Sequence, residues 1–348
     1  MEECACGNMQ LDYSFVLGFW RSAPKSEHLN RKVPRLLSLS KGCRRLEVAA
    51  RSPQAIVASE EMINETLPAP TIDPRREAEL TGRIDRWLAH MTWRPDFERW
   101  REGRIWQERQ QAERLRLIER YGGALAGRRV LDLGSGMGGT SVALALAGAA
   151  PLAFEYNRAY CDIIRLRAGR YAMRLPVING AGERLPFADA TFDLAIAWDV
   201  VEHVQNPDML LAELARVVRP GGRVLLTVIN RFAYRDPHYH LPLLNWLPRP
   251  LAEAIIERRG RSKGGDFSDR QRLSEMHYYT MPGFRRLAAR HGFRVGDIRE
   301  DRVRRGEGSA GGLKGRARDA LRRLGLARAG YIAYRSLFQG TYELLLVK

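Results

Sequence analysis

From Arg128 to Asn230 the chain alternates short apolar runs with longer stretches in which apolar residues recur every three or four positions. The short runs, "RVLDLG", "PLAFEYN", "PVINGAG", the start of "FDLAIAWDVVEHV" and "RVLLTVIN", predict five strands. The stretches "TSVALALAGA", "RAYCDIIRLRAGRYA" and "NPDMLLAELARVV" predict the helices between them. Asn206 is placed to cap the last of these helices, with Pro207 at its first position. "RPGG" reads as a turn ahead of the fifth strand. Strands alternating with helices argue for an open parallel sheet with helices on both faces. Right-handed crossovers in such a sheet place a ligand at the carboxyl ends of the strands.

Either side of this block the pattern changes. Residues 1–70 show no sustained periodicity and are expected to be a poorly ordered leader, with Pro68, Pro70 and Pro74 marking its end. Residues 71–122 read as a helical segment. Leu80, Ile84, Trp87 and Leu88 share one helical face, and a second helix over roughly 95–120 carries Phe97, Trp100, Leu115 and Ile118. Trp87, Trp93, Trp100 and Trp106 are expected to pack helices together. After Asn230 the alternation stops. Residues 231–279 are too long for a plain connector and read as a lid inserted after the fifth strand. "TMPGFRRLAARHGF" follows as a helix capped by Thr280 and stopped by Gly292. "FRVGDIRED" and "TYELLLVK" read as two late strands, and residues 123–348 as one domain.

The composition, 45% hydrophobic and 28% charged, is that of a globular protein. Its net charge of +17 is unevenly spread: residues 231–348 hold 25 Lys and Arg against 12 Asp and Glu. That basic field suits an anionic partner, phosphate, nucleic acid or an anionic membrane surface, or is a solvated basic face. "HLPLLNWLPRPL" and the basic segment 314–328, with Leu321, Leu324 and Leu326, read either as interfacial helices or as a lid packed on its own domain. Cys4, Cys6, Cys43 and Cys161 form no CxxC pair, so no zinc or redox motif is expected and a reducing, cytoplasmic setting is. Glu2 and Glu3 replace the basic start of a signal peptide, and no apolar run reaches membrane-spanning length. Membrane contact, if any, is therefore expected to be peripheral.

The chemistry centres on "LDLGSGMGG", where a strand runs into a glycine loop. Gly134, Gly136 and Gly139 fit the dinucleotide spacing, which alone leaves a nicotinamide ligand open. Asp132, two residues before the loop, suits a ligand with a positive centre. Glu155 ends the second strand, 19 residues after Gly136, where a carboxylate can accept both ribose hydroxyls. "LPFADATFD", "DVVEHV" and "RPGGRVLL" follow in order.

Together these blocks resemble the class I S-adenosylmethionine-dependent methyltransferases, strongly over residues 120–230. The resemblance implies an α/β, Rossmann-like seven-stranded sheet whose last strand, here "TYELLLVK", is antiparallel. It implies S-adenosylmethionine as cofactor. Gly134, Ser135, Gly136 and Gly138 would meet its amino-acid part, with Asp132 beside them. Glu155 would hold the ribose and Tyr156 would lie near the adenine. The family's adenine-binding Asp is replaced here by Ala181, which leaves Gly182, Glu183 and backbone groups to that task. Asp199 would face cofactor and substrate. A hydroxyl acceptor needs a base; His240 and His277, in or beside the insert, are the candidates, while His203 reads as structural or cofactor-side. The acceptor class expected is a small molecule, sugar or lipid-linked compound, with an anionic group in keeping with the charge. Nucleic acid is the rival, weakened by the absence of an "NPPY" motif and of a Pro-Cys nucleophile; a non-catalytic cofactor-binding protein is another.

Overall fold

Strand β1 (Arg129–Leu133) is buried along nearly its whole length, and so are β2 (Ala150–Glu155) and β4 (Phe192–Ala197). Strands covered on both faces need continuous apolar runs, which is what "RVLDL", "APLAFE" and "FDLAIA" supply. They form the centre of a seven-stranded sheet in the order β3-β2-β1-β4-β5-β7-β6, with β3 at Val177–Asn179, β5 at Val218–Ile229, β6 at Arg294–Asp297 and β7 at Thr341–Val347. The strands β1 to β5 pair in parallel. The chain moves outward from β1 to β2 and β3, then returns to β4 on the other side. That reversal leaves a crevice at the carboxyl ends of β1 and β4. β7 runs antiparallel to both β5 and β6, and its burial alternates residue by residue because one face is less covered. The computed structural model describes residues 72–89, 92, 95–260, 271–307 and 320–348. The expected leader over 1–70, Trp93 and the first part of the segment 314–328 lie outside these residues.

Three expectations about local structure change. The late strand "FRVGDIRED" ends at Asp297, whose side chain accepts the N–H groups of Arg299 and Glu300 and so starts a helix at Ile298. "RPGG" is not a turn ahead of the fifth strand but part of β5. Phe192 pairs with Val218 and Leu194 with Arg223, so an irregularity absorbs the Pro-Gly-Gly. Gly221 takes a left-handed φ of 73° there. The second N-terminal helix is also broken. After α1 (Pro74–Leu88) come α2 (Phe97–Ile105), a 3-10 turn at Gln107–Gln110 and α3 (Ala112–Gly122). The break delivers Glu108 into the interior, where it meets the buried Arg167 and Arg170 of the chain that follows β2. A long-range ion pair thus overrides a helical pattern.

The remaining elements follow their caps. α4 (Gly139–Leu146) and α5 (Arg158–Gly169) flank β2. α6 (Pro207–Val217) begins at Asn206, whose side chain accepts the N–H groups of Asp208 and Met209. Leu80, Ile84 and Leu88 of α1 pack with Met137 and Ile163, and Trp87, Trp100 and Trp106 lie against the same cluster. The expected packing role therefore holds for these three tryptophans.

The excursion after β5 returns to its starting point, since Asn230 and Tyr279 form a parallel bridge. It carries α7 (Arg249–Arg258) and a small core of its own, in which Tyr239, Leu244, Ile256, Leu273 and Tyr278 pack on Ile229. α8 (Met281–Arg290) follows, with Thr280 accepting the Gly283 N–H. α9 (Ile298–Arg304) and α10 (Ala327–Leu337) complete the described chain.

Candidate functional site

A cleft of about 840 Å³ opens at the crevice between β1 and β4. That volume lies within the roughly 300–1,000 Å³ common to small-molecule sites. Gly134, Gly136, Glu155, Tyr156, Gly182, Glu183 and Asp199, seven of the residues singled out in the sequence, line it. Ala181 lines it too.

The glycine loop is braced from within. Gly134 holds a φ of 67°, and a Cβ on it would collide with the Val200 side chain. Its N–H donates to the Phe154 carbonyl at 2.8 Å, stitching the loop to β2. Ser135 turns its hydroxyl back to the Asp132 carbonyl. The Gly136 N–H donates to Glu155 Oε2 at 2.8 Å, and the other oxygen, Oε1, accepts the Asn157 N–H at 2.8 Å. Glu155 therefore ties the loop to the start of α5 in addition to facing the cleft. Gly139, which completes the dinucleotide spacing, opens α4; its bare Cα makes room for the Gln107 side chain from the N-terminal segment. Arg167 supports the same loop from behind, donating from Nε to the Met137 carbonyl at 2.7 Å.

Asp132, Ser135 and Gly138 lie beneath the cleft rather than on its wall. The Asp132 carboxylate is buried and accepts a short hydrogen bond from the Ser141 hydroxyl. Burial pushes its pKa up to about 6, while Ser141 and Arg114 pull the other way. The folded chain thus binds a proton more tightly than the unfolded one between about pH 4 and 6. Stability from this source falls as pH rises through that window and is flat above it. Replacing Asp132 by Asn should shift relative stability in the variant's favour by about 2 kcal/mol between pH 4 and pH 7. Urea denaturation at the two pH values measures this; a pH-independent difference would contradict it.

Asp199 holds a left-handed φ of 55°, unusual for a residue with a side chain. Thr227 of β5 secures it, its hydroxyl accepting the Asp199 N–H at 2.6 Å and donating to Oδ1 at 3.0 Å. Glu183 accepts the Gln205 N–H at 2.7 Å and so supports the turn before α6.

The two histidines favoured in the sequence do not line the cleft. His240 sits at an exposed turn of the insert, its N–H on the Asp236 carbonyl and its carbonyl on Arg235. His277 lines an adjoining depression with Asp208 and Arg290, which shares Gln205 and Asn206 with the cleft. His203 does line the cleft, together with Gln271 from the insert. The Gln271 amide nitrogen donates to the His203 carbonyl at 2.6 Å, which leaves its oxygen to face His203 Nδ1 at 2.8 Å. An amide oxygen only accepts, so Nδ1 carries a proton, and in the neutral ring the lone pair is on Nε2. Glu202, His203 and His238 each bring a potential ligand atom within 4.8 Å of one another, a donor set able to hold a metal ion. The sequence expected none, because these residues form no motif until the insert returns.

Residues 131–226 match a family model described as a methyltransferase domain. Over those residues the chain is similar to methyltransferase domains. A ubiquinone biosynthesis O-methyltransferase of Aromatoleum aromaticum is 34% identical over 138 residues, which cover 38% of this chain and 58% of that protein. A probable S-adenosylmethionine-dependent methyltransferase of Mycolicibacterium smegmatis is 29% identical, over 59% of this chain and 73% of its own length. The crystal structure of an S-adenosylmethionine-dependent methyltransferase from Mesorhizobium loti shares 15% identity with a TM-score of 0.45, covering 68% of this chain and 98% of that one. The chain spans a little over half the length of the first two ubiquinone-pathway relatives it matches. The cleft suits S-adenosylmethionine in its donor set. It offers a glycine-lined approach at Gly134 and Gly136 and a carboxylate at Glu155. Tyr156, 70% exposed, stands at its wall.

Proposed function

We propose that this chain is an S-adenosylmethionine-dependent methyltransferase that modifies an oxygen of a small-molecule, sugar or lipid-linked acceptor. In this reading Gly134, Gly136, Glu155, Tyr156, Gly182, Glu183 and Asp199 hold the cofactor, braced by Asp132, Ser135 and Gly138. The bound cofactor supplies an electrophilic methyl group on a positively charged sulfur. A buried Asp132 carboxylate costs stability, and a cationic centre across the loop offsets that cost. The methyl-accepting oxygen needs alignment and removal of its proton.

The observation that carries the choice of oxygen is the His203–Gln271 clasp, which leaves a lone pair on Nε2 of a cleft residue. We therefore assign the base to His203 rather than to His240 or His277. The test is transfer of labelled methyl from S-adenosylmethionine to lysate fractions and lipid extracts. His203→Gln should lower kcat about a hundredfold or more with cofactor affinity unchanged. Undiminished kcat would remove the base from His203, and label found only in RNA would overturn the acceptor class.

A second feature favours peripheral contact with an anionic membrane surface. Phe232, Tyr234, Leu243, Trp246, Leu251, Tyr334, Leu337 and Phe338 are 42% to 57% exposed. Most of them are linked: Phe232 meets Trp246, and Phe338 meets both Tyr234 and Tyr334. Leu243 joins the two groups through backbone bonds to Tyr234 and Trp246. Exposed Trp and Tyr beside a basic sequence suit a headgroup layer. The protein should float with vesicles containing phosphatidylglycerol and not with pure phosphatidylcholine, and Trp246→Ser with Phe338→Ser should abolish flotation. Equal behaviour on both vesicle types would remove this reading.

A further inference from the structure

The insert holds a polar cluster whose residues lie outside the lining of the cleft. Arg231 follows the bridge at Asn230, and Arg249 is the first residue of α7. Each keeps its Nη1 nitrogen buried and without a hydrogen-bond partner. Arg249 is pulled below the usual arginine range by burial first and by the neighbouring Arg231 second. Asn245, on the turn that precedes α7, is fully buried with both amide atoms unpartnered.

Two carboxylates act on Arg249, Asp236 and Glu253, and Asp236 keeps Oδ2 buried without a hydrogen-bond partner. Asp236 spends Oδ1 on the N–H groups of His238 and Tyr239. Glu253 accepts the Ser274 N–H. Among the described residues neither Arg231 nor Arg249 forms an ion pair. Both arginines are half-buried, and a guanidinium nitrogen shut off from water without a hydrogen bond is costly. An anion with two or more oxygens would satisfy both forks at once.

The cluster is connected to the cleft by a row of rings. Arg249 lies 4.7 Å from the centre of the Tyr278 ring. Tyr278 stacks with His238 at 6.3 Å, and His238 meets His203 edge to face at 5.2 Å. His203 is on the cleft wall.

We infer that Arg231 and Arg249, with Asn245, form the acceptor's anion subsite, taking a carboxylate or phosphate while the acceptor hydroxyl lies at His203. The identity of the ligand as the methyl acceptor rests on the function proposed above; the binding of an anion does not. The subsite selects among acceptors by charge and leaves the cofactor's contacts untouched.

The experiment titrates the full chain, loaded with S-adenosylhomocysteine, with benzoate and with inorganic phosphate by calorimetry. At least one should bind, and which one distinguishes carboxylate from phosphate. Arg249→Gln and Arg231→Gln should each weaken that binding about tenfold or more, with Arg249→Lys retaining part of it. Unchanged S-adenosylhomocysteine affinity certifies that each variant is folded. In a second arm, methyl transfer to 3,4-dihydroxybenzoate is compared with transfer to catechol. Arg249→Gln should raise KM for the carboxylated compound and leave catechol alone. Failure of both anions to bind, or equal binding by the variants, overturns the subsite. Anion binding that depends on the arginines, without methyl transfer to any acceptor, would sustain the subsite and sink the proposed reaction.

Discussion

Replacing Glu155 by alanine is expected to weaken S-adenosylmethionine binding at least about a hundredfold, or nearly 3 kcal/mol. The side chain has two tasks, and both fail together. Its oxygens separately accept the N–H groups of Gly136 and Asn157, fixing the glycine loop to the start of α5. Hydrogen bonds to a carboxylate contribute about 1.5–3 kcal/mol each. The same carboxylate lines the cleft where a ribose would need an acceptor. Glutamine cannot substitute, because its amide nitrogen would face one of the two N–H donors. Isothermal calorimetry on wild type, Glu155→Ala and Glu155→Gln decides the matter. Affinity within threefold of wild type would mean that cofactor and loop are held elsewhere.

Glu108→Gln is expected to destabilise the fold by about 3–5 kcal/mol, the usual cost of breaking a buried ion pair from one side. Glu108, Arg167 and Arg170 have no exposed side-chain surface. Glu108 accepts from both arginines and from the Tyr171 hydroxyl. Without its charge two guanidinium groups remain buried beside each other. Burial already pulls Arg167 below the ordinary arginine range, and Glu108 is the main influence opposing that pull. Arg167 also grips Met137 in the glycine loop, so the variant should lose cofactor affinity along with stability. Urea denaturation with and without S-adenosylmethionine measures both. A loss under about 1 kcal/mol would show that the triad is not a folding determinant.

The parallel half of the sheet was legible because its strands are buried on both faces and therefore read as unbroken apolar runs. Asn206 and Thr280 announced their helices because capping chemistry is local. The walls of the cleft were legible for a similar reason: Gly134, Glu155 and Asp199 each sit at the end of a strand in the order of the chain. What escaped the sequence depends on distant partners. The break at Gln107–Gln110 answers to arginines some 60 residues onward. Gly139 fits the dinucleotide spacing, but the space beside it is filled by Gln107, 32 residues earlier. His203 becomes a credible base through Gln271, 68 residues later, in a stretch without periodicity. His240 and His277 drew notice by lying in or beside the insert, but adjacency in the chain did not bring them to the cleft wall. Arg231 and Arg249 were invisible as a pair because sequence charge counts do not reveal which arginines are withdrawn from water.

The link between Glu108 and Arg167 also imposes a chronology on synthesis. Glu108 leaves the ribosome 59 residues ahead of Arg167. During that interval its carboxylate has no buried counterpart and remains hydrated, so the upstream helices wait as solvated pieces. Met137 emerges in the meantime, before the arginine that will hold its carbonyl. Only when α5 is translated can one guanidinium gather the carbonyls of Arg104, Ile105 and Met137 in a single event. Arg167 therefore cannot brace the glycine loop or the N-terminal segment until α5 has been made.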